Sequence, residues 1–385
     1  MQGGAFEVTL LSPLPHGSLE PHRAELDRVS VRFRGWPDPT RGRLGRARRL
    51  VSLASHLPVT VAVGQSRTAR ALVADELERG GYEVAVFDYA HAAVLLPATL
   101  RVPSVVLTHN VEAEILRRQA DAAGPVALRW LWRHQYRKML RFERAALHRF
   151  STVVAISERD ADSFRRDYGL TRVQAIPTGV DLNAFGYHPA EDEERDAVTI
   201  VFTGSMDWRP NVDAVEFLMD DVWPRVEAVL PRARVVIVGK NPPDHLRSRA
   251  RERSLPWTFT GFVDDVRPYV RSGHVYVIPL RIGGGTRIKV YEAMAMGCPV
   301  VSTALGVEGL PVEPGRHFVA ANEPADFAAS ITRLARDPQA RRVLSREARA
   351  LVEENCGNEK VARVFESVCA SVSGSTAASA RPANQ

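Results

Sequence analysis

The sequence is poor in cysteine and has no long apolar run. Its three cysteines, Cys298, Cys356 and Cys369, lack the paired spacing of a zinc site or a disulfide framework. No apolar stretch approaches the roughly 20 residues that cross a bilayer, and the first residues lack the basic and apolar regions of a secretory signal. We therefore expect a protein of the reducing cytoplasm that neither spans a membrane nor is secreted.

Composition and charge are those of an ordinary globular protein with a basic surplus. With 385 residues, 45% of them hydrophobic and 25% charged, the chain is long enough for two domains with separate cores. The formal net charge of +6 favours anionic partners, whether nucleotides, phospholipid headgroups or nucleic acid. Charge by itself does not choose among these three.

The most informative stretch is residues 279–310, PLRIGGGTRIKVYEAMAMGCPVVSTALGVEGL. It predicts a strand end, a glycine-rich turn, an amphipathic helix and a second buried strand. Glycines 283–285 permit positive φ and close approach to a ligand. The first turn of the helix offers N–H groups and a positive dipole end to a phosphate. Arg287 and Lys289 add two cations there, and Glu292 shares a helix face with Lys289.

A second strand, turn and helix of the same kind begins at residue 198. Strand 198–203 is followed by Gly204, Ser205 and, a few residues later, a helix. The backbone of this turn offers a second set of donors to a diphosphate. Arg209 is the charged candidate because its planar guanidinium suits phosphate oxygens, whereas the alternative is a surface arginine near a helix start. We favour phosphate binding.

These two turns resemble those of the retaining nucleotide-sugar glycosyltransferases of family 4, which have the GT-B fold. The signature continues here through EAMAMGCPVV. In that family a Glu-x7-Glu pattern spans the glycine turn and helix. Glu292 falls on the second glutamate, which usually holds the donor ribose. Gly284 falls on the first, which normally contacts the transferred sugar, so this chain departs from the pattern.

A branch of the family linked to exopolysaccharide synthesis is similar in having a GTRxK turn in place of the first glutamate. The family usually also has an arginine and a lysine in the turn that follows strand 198–203. Ser205 stands in the place of that arginine. We therefore expect Arg209 to compensate for the missing cation, with Gly285 and Thr286 supplying backbone donors.

His109 follows a short buried strand at residues 103–108. A residue at the carboxyl end of a parallel strand is placed to contact a ligand. The alternative is that this histidine only caps the next helix, and spacing alone does not choose between the two roles. The resemblance favours a ligand contact. Similar transferases carry a histidine after this strand that faces the donor sugar across the cleft.

Strands alternate with helices along the chain, which predicts parallel sheets covered on both faces. The resemblance implies an α/β GT-B fold of two Rossmann-like, doubly wound domains with a cleft between them. We predict an acceptor-side domain at residues 1–185 and a nucleotide-sugar-binding domain at residues 186–354. The resemblance implies that a terminal helix at residues 355–371 crosses back to the first domain, and we predict a disordered tail at residues 372–385.

Residues 126–150 predict a long basic helix with seven Lys or Arg residues against one glutamate, Glu143. Its tryptophans and cations suit an anionic membrane surface, whereas the helical period of its apolar residues suits packing on the sheet. We favour a packed core with a basic rim. Peripheral contact of that rim with the inner face of the membrane stays an open hypothesis.

The resemblance implies transfer of a sugar from a nucleotide-diphosphate donor to a glycan or lipid-linked acceptor with retention, in exopolysaccharide or other cell-surface polysaccharide synthesis. Negative charge grows on the leaving phosphate, and we expect Arg209, Lys289 and the backbone of Gly285 and Thr286 to stabilise it. No Asp-x-Asp site is convincing. Because cations can replace a metal here, we expect no metal. We also expect no cofactor and no nucleic-acid partner.

Two other functional classes stay open, since a fold does not decide a function. The first is a nucleotide-sugar epimerase, which product analysis without acceptor would reveal. The second is an inactive sugar-nucleotide-binding scaffold, whose sign would be tight donor binding without turnover.

The chain enters a strand at once, at residues 6–11, which looks like the second strand of the family. We therefore expect that the first strand, glycine-rich turn and helix are missing and that the chain as written is weakly active or inactive. The alternative is that Gly3 and Gly4 form a shortened turn. An upstream in-frame strand, turn and helix would support the first expectation.

Overall fold

The computed structural model describes residues 6–14, 19–29, 32–38, 40, 48–188, 198–285 and 287–379, without the side chains of residues 21, 25 and 375–379. The chain divides into two compact units. The first comprises residues 1–176 with 363–385, and the second comprises residues 177–362. The boundary predicted after residue 185 falls a few residues into the second unit. The predicted shortened turn at Gly3 and Gly4 lies outside the described residues.

The first unit alternates strands and helices along the chain. Its elements are β1 (Thr9–Pro13), α1 (Arg23–Val29), β2 (Arg32–Trp36), α2 (Val59–Ala62), α3 (Arg67–Arg79), β3 (Ala85–Asp88), β4 (Ser104–Thr108), α4 (Glu112–Ala122), α5 (Val126–Leu147), β5 (Thr152–Ala155), α6 (Glu158–Tyr168) and β6 (Val173–Ala175).

One sheet of the first unit has four parallel strands in the order β3-β4-β5-β6. Strands β1 and β2 pair with each other in parallel and form a separate two-stranded sheet. Strand β5 is buried along its whole length, as expected for a parallel strand covered on both faces. Ser66 and Ser157 start α3 and α6, because each hydroxyl accepts the N–H of the third residue onward.

Helix α5 has an exposed start and a buried end. Trp130 is 66% exposed, whereas Met139 is buried. Lys138 is buried as well, and its Nζ donates to the carbonyl oxygens of Leu53 (2.9 Å) and Ser55 (2.5 Å), which offsets the cost of burying the ammonium. No helix in the described parts of the chain is both long and apolar enough to cross a membrane.

The second unit continues the alternation. Its elements are β7 (Thr199–Thr203), α7 (Arg209–Phe217), a π-helical turn (Leu218–Val222), α8 (Trp223–Val229), β8 (Arg234–Val238), α9 (Asp244–Glu252), β9 (Trp257–Phe259), α10 (Arg267–Arg271), β10 (Val275–Ile278), α11 (Ile288–Ala295), β11 (Val300–Ser302), β12 (Val319–Ala320), α12 (Pro324–Arg336) and α13 (Pro338–Asn355).

The sheet of the second unit has six parallel strands in the order β12-β11-β10-β7-β8-β9. The chain builds outward from β7 through β8 to β9, and then returns to β10 on the other side of β7. Strands β7 and β10 are therefore central, and both are buried along their whole length. This is a doubly wound sheet, and the predicted α/β class with parallel sheets is confirmed.

The end of the chain differs from the prediction. A last helix, α14, runs from Asn358 to Ser379, so the predicted disordered tail is wrong for residues 372–379, and residues 380–385 lie outside the described part. Val368, Cys369 and Val372 are buried on this helix and form an apolar stripe with helical spacing. The Ser- and Ala-rich composition concealed that stripe, and residues from 363 onward group with the first unit.

Candidate functional site

The candidate site of the second unit lies at the ends of its two central strands. The strand order reverses between β7 and β10, so the loops that follow these two strands diverge. The divergence leaves a crevice at the edge of the sheet that the carboxyl ends of the strands form. The loop after β7 leads into α7, and the loop after β10 leads into α11. Neither helix is capped by the side chain that precedes it. The two turns predicted to bind phosphate therefore lie at the same edge.

The two loops touch each other at Gly283. This residue has φ +101°, and a Cβ there would lie 2.7 Å from Cγ of Pro210, in the first turn of α7. Gly285 also has a positive φ, +103°. Any other residue at position 283 would strain the backbone and collide with α7. The glycine-rich sequence is thus needed for packing of the loop as well as for access to its backbone.

Arg281 fastens the start of this loop to α7. Its Nε and Nη2 donate to the two carboxylate oxygens of Asp213, at 3.1 and 2.9 Å. The guanidinium also lies 4.7 Å from the ring centre of Phe217. A two-pronged bond plus ring stacking fixes a guanidinium better than a single bond does. Sequence analysis missed this contact because Arg281 lies far along the chain from α7, which carries both Asp213 and Phe217.

Lys289, in the first turn of α11, bonds to both ends of the loop that joins β7 to α7. Its Nζ donates to the carbonyl oxygen of Thr203 (3.0 Å) and to Oδ1 of Asn211 (3.2 Å). Burial of the ammonium lowers the pKa of Lys289 to about 7, although the residue as a whole is only half-buried. Among the described residues, no carboxylate pairs with this ammonium. Its positive charge is therefore available to an anion.

Asn211 fills the space between Gly204 and Lys289. Its Nδ2 donates to the carbonyl oxygen of Ser205 at 2.8 Å, and a Cβ at Gly204 would lie 2.7 Å from that same nitrogen. Asn211 is buried. Sequence analysis did not single it out, and only its place in the first turn of a helix after a small-residue loop gave a signal.

Glu292 lies on α11, three residues after Lys289. Burial raises the pKa of its carboxyl, and the charge of Lys289 opposes that rise. The two side chains form no ion pair, and no group within the described ranges donates a hydrogen bond to the Glu292 carboxylate. A half-buried carboxylate that accepts no hydrogen bond from the described residues is suited to accept from the hydroxyl groups of a ligand.

The loop after β7 is also tied to the loop after β8. Asp207 accepts hydrogen bonds from Ser205 Oγ (3.1 Å) and Asn241 Nδ2 (3.0 Å), and it pairs with Lys240 at 3.2 Å. These contacts lower the pKa of Asp207, and the bond from Asn241 has the largest effect. The hydroxyl of Ser205 therefore takes part in a hydrogen bond within the loop itself.

Arg209 opens α7, but its side chain runs along that helix. Its Nη2 pairs with Glu216 Oε2 at 3.2 Å, and the side chain is 65% exposed. Glu216 lies seven residues further on, about two helical turns. Of the two cations predicted to stabilise phosphate, Lys289 thus reaches the loop after β7, whereas Arg209 points toward Glu216.

Arg287 stabilises the glycine-rich turn by a hydrogen bond to its backbone. It is buried, and its Nη1 donates to the carbonyl oxygen of Gly284 at 3.1 Å. Its guanidinium charge also contributes to the lowered pKa of Lys289, after the larger effect of burial. Thr286, predicted as a backbone donor, lies outside the described residues.

His109 lies in the first unit, directly after β4 as predicted. Its Nε2 is 2.6 Å from Oδ1 of Asp88, which ends the neighbouring strand β3, and its ring stacks on Tyr89 with centres 4.1 Å apart. The alternative role of capping α4 belongs to another residue. The carboxylate of Glu143 accepts the first N–H groups of that helix, from Glu112 (2.9 Å) and Ala113 (3.1 Å).

The site of the second unit can bind an anion that also carries hydroxyl groups. One ammonium lies between two uncapped helix starts, and one half-buried carboxylate lies on the same helix as that ammonium. Backbone N–H groups and a fixed cation favour phosphate oxygens, and a carboxylate accepts from hydroxyls. A nucleoside diphosphate carries both kinds of group.

Comparison with known protein families assigns each half of the chain to a glycosyltransferase model. Residues 2–184 match the model described as Glycosyltransferase Family 4, and residues 197–337 match the model described as Glycosyl transferases group 1. Together the two matches cover most of the first unit, without its C-terminal segment from residue 363 onward, and the site of the second unit. The predicted similarity to group 1 and family 4 glycosyltransferases is confirmed.

The chain resembles curated mannosyltransferases over part of its length. It is 32% identical over 161 residues to the phosphatidyl-myo-inositol mannosyltransferase of Mycobacterium tuberculosis, which covers 40% of this chain and 42% of that protein. It is 34% identical over 133 residues to the protein of the same name from Mycolicibacterium smegmatis, covering 34% of each. The matches thus span less than half of these relatives.

Solved structures share the fold over nearly the whole chain. Sucrose-phosphate synthase from Thermosynechococcus elongatus has a TM-score of 0.69 at 20% identity and covers 96% of this chain and 90% of its own. Anabaena HepE in complex with UDP and glucose has a TM-score of 0.66 at 15% identity, covering 94% and 91%. The fold is therefore the GT-B fold that the sequence predicted.

Proposed function

We propose that this protein transfers a sugar from a nucleoside-diphosphate sugar to a glycan or lipid-linked acceptor. The observation that carries the proposal is the Lys289 ammonium, held between two uncapped helix starts at the point where the strand order reverses. Support comes from the glycosyltransferase models that match both halves of the chain. The structure of HepE with UDP and glucose has the same fold.

The chemical role of the site follows from where charge develops. As the anomeric C–O bond breaks, negative charge grows on the leaving diphosphate, and the sugar ring gains positive character. A preorganised ammonium and oriented N–H groups stabilise that charge more than water does. Lys289 and the backbone at Gly284 and Gly285 supply these groups. We propose that they make the reaction independent of a metal ion.

We propose that Glu292 holds the ribose of the donor, because its carboxylate is half-buried and accepts no hydrogen bond from the described part of the chain. His109, fixed by Asp88 and Tyr89 at the end of β4, is proposed to contact the transferred sugar. Retention of the anomeric configuration and a place in exopolysaccharide synthesis rest on the family resemblance.

Activity is tested with a panel of UDP-, GDP-, ADP- and dTDP-sugars. Thermal stabilisation by each nucleotide identifies the base, hydrolysis without acceptor identifies the sugar, and NMR of the product gives the anomeric configuration. Addition of EDTA tests the metal independence. Interconversion of two nucleotide sugars without acceptor would instead identify an epimerase, and binding without turnover a scaffold.

We also propose peripheral contact with an anionic membrane through the exposed start of α5. Val126 is 78% and Trp130 is 66% exposed there, and Arg133, Arg137 and Arg141 are exposed on the same helix. Each cation near an anionic surface contributes about 1 kcal/mol, so several would give reversible binding that salt weakens.

Flotation with vesicles tests this contact. We expect recovery with phosphatidylglycerol vesicles, loss of binding at high salt, and loss in the Arg133→Gln/Arg137→Gln variant. The matched variant Arg247→Gln/Arg251→Gln removes two exposed cations from α9 and should float like the wild type. Equal recovery with neutral vesicles would contradict the proposal.

A further inference from the structure

Asn211 is the neutral partner of a buried cation, and nothing in the sequence pattern marked it. We propose that Asn211 is a positioning residue that sets both the location of the Lys289 ammonium and the pH range in which it stays charged. This inference rests on the proposed function for its consequence in catalysis. Its structural part, the control of Lys289 by Asn211, stands on the contacts of the two residues alone.

The orientation of the Asn211 amide is fixed by its two neighbours. One side of the amide faces the carbonyl oxygen of Ser205 at 2.8 Å, and the other faces Nζ of Lys289 at 3.2 Å. A carbonyl oxygen accepts only, and an ammonium donates only. The NH2 group must therefore face Ser205 and the oxygen must face Lys289, since the flipped amide would put like groups together at both ends.

The same contacts fix where the ammonium lies. Asn211 is anchored in the first turn of α7, where its own N–H donates to the carbonyl oxygen of Trp208 at 2.9 Å. Nζ of Lys289 has a second acceptor in Thr203 O at 3.0 Å, and it lies 4.5 Å from the centre of the Phe202 ring. An ammonium has three N–H groups. Two of them have acceptors among the described residues, and we assign the third to a ligand oxygen.

The residue type matters because an amide orients the ammonium without cancelling its charge. A carboxylate at position 211 would pair with Lys289 and repel a diphosphate. An apolar side chain would leave the ammonium with one acceptor fewer in a buried place, which disfavours its charged form. Asparagine is thus the side chain that holds the cation ready for an anion.

Two other charged groups, Glu292 and Arg287, act on the charge of Lys289, while the titratable groups of the neighbouring elements β10 and α7 bond to other partners. On its own helix and at that helix's start, Glu292 favours the ammonium and Arg287 disfavours it, while burial has the larger effect and lowers the pKa of Lys289 to about 7. The Tyr276 hydroxyl on β10 bonds to Thr203, and Asp213 on α7 is taken by Arg281. A change at position 211 alters this balance directly.

The titration of Lys289 gives the first test. The sequence has four lysines, Lys138, Lys240, Lys289 and Lys360, so the full-length protein labelled with 13Cε-lysine gives few signals, and Lys289→Met assigns the one of interest. We expect the midpoint of Lys289 to rise by one unit or more in Asn211→Asp, because an opposite charge in contact typically raises a lysine pKa by about 1–3 units. In Asn211→Leu, the midpoint should fall.

Binding of inorganic pyrophosphate, UDP and GDP across pH 6 to 9 gives the second test. In the wild type, affinity should fall by up to about tenfold for each pH unit above the midpoint, because the ligand selects the ammonium form. The fall should begin at higher pH in Asn211→Asp, together with weaker binding at pH 6. In Asn211→Leu it should begin at lower pH.

Asn183→Asp is the control for charge alone, since Asn183 lies in an exposed turn outside the site. An unchanged Lys289 midpoint in both Asn211 variants, or an equal shift in Asn183→Asp, would overturn the inference even if the variants melt at lower temperature. Asn211→Asp is isosteric, so it keeps the test valid if Asn211→Leu does not fold. Should the midpoint move while no diphosphate binds at any pH, the proposed function fails and the inference about Asn211 stands.

Discussion

The two units treat the start of a helix beside their sheet in opposite ways. In the first unit, the buried carboxylate of Glu143 accepts the N–H groups of Glu112 and Ala113 at the start of α4. In the second, neither α7 nor α11 is capped by the side chain that precedes it, and the ammonium of Lys289 lies close to the start of both helices. In the first unit, a carboxylate of the protein itself accepts the N–H groups at the helix start and so stabilises the fold. In the second unit, a cation lies beside N–H groups that the preceding side chains do not cap, which favours binding of an anion from solution.

This difference shows how the same strand, turn and helix serve two purposes. Both helix starts have the electrostatics of an anion site, and sequence alone does not separate them. The distinction comes from one side chain on another element. Glu143 reaches α4 from α5 and is held by the Tyr168 hydroxyl at 2.6 Å. Burial raises its pKa to about 7. Removing each buried charge should therefore have opposite effects in the two units.

The largest effect is expected from Lys289→Met. If the ammonium stabilises the leaving diphosphate, kcat should fall about 10²–10³-fold, as for loss of one preorganised donor. The protein should become more stable near pH 7, because a buried ammonium is replaced by an apolar side chain. Steady-state kinetics and thermal melts measure the two effects. Lys360→Met, an exposed lysine of the same unit, is the control, and full activity of Lys289→Met would contradict the comparison.

The pH dependence of stability sharpens the same prediction. The pKa of Lys289 falls from 10.5 to about 7 on folding, so between these values the unfolded chain holds the proton more often than the folded one. Stability of the wild type should therefore gain from this residue as pH rises from about 7 to 10. Lys289→Met should lack that gain. Equal slopes of stability against pH in the wild type and in Lys289→Met would show that the Lys289 ammonium does not contribute to the pH dependence.

Glu143→Ala should show the reverse pattern, with lower stability and unchanged nucleotide affinity. Two buried N–H groups and the Tyr168 hydroxyl lose their acceptor, at a cost of about 3 kcal/mol or more. Glu143→Gln keeps an acceptor and should cost less. Denaturant unfolding and nucleotide calorimetry measure both variants. Loss of nucleotide binding in a folded Glu143→Ala protein would break the division between the two helix starts.

The Glu143 carboxyl also predicts a pH effect of its own. Its pKa rises from 4.5 to about 7 on folding, so the folded state holds the proton more often in that window. Stability should therefore fall as pH rises from about 4.5 to 7, and the fall should be smaller in Glu143→Gln. Thermal melts of both proteins across this range test it.

A smaller effect is expected from Glu292→Ala. Loss of a carboxylate that accepts ribose hydroxyls should weaken nucleotide binding by about 1.5–3 kcal/mol, and stability should change little because no described group bonds to this carboxylate. Calorimetry decides it, with Glu227→Ala on the exposed side of α8 as control. Unchanged affinity for every nucleotide that the wild type binds would remove Glu292 from the site.

The smallest effect is expected from Arg281→Lys. Lysine cannot make the two-pronged bond to Asp213, so the glycine-rich loop should be held less firmly. Since the Arg281 side chain is partly exposed, the loss should be about 1 kcal/mol or less, up to fivefold in activity. Asp213→Asn should have the same effect, and the double variant should add nothing further. Additive losses would show that the two residues act separately.

Much of the fold was predictable because its signals are local. The bounds of α3 and β8 follow from such signals, since Ser66 starts the helix and a run of apolar β-branched residues marks the strand. The glycine turn before Lys289 was found for the same reason. Helix α14 was predicted too short, because its Ser- and Ala-rich end carries a weak pattern that depends on the burial of Val372.

The sequence by itself determined the order of strands and helices, the two turns with their backbone donors, and the helix face that carries Lys289 and Glu292. These follow from residues near one another in the chain. Only the tertiary structure decided which polar groups meet. It brought Lys289 to Asn211, turned Arg209 toward Glu216, and placed Glu143 at the start of α4. Such contacts join residues far apart in sequence, and their strength depends on burial that no local pattern contains.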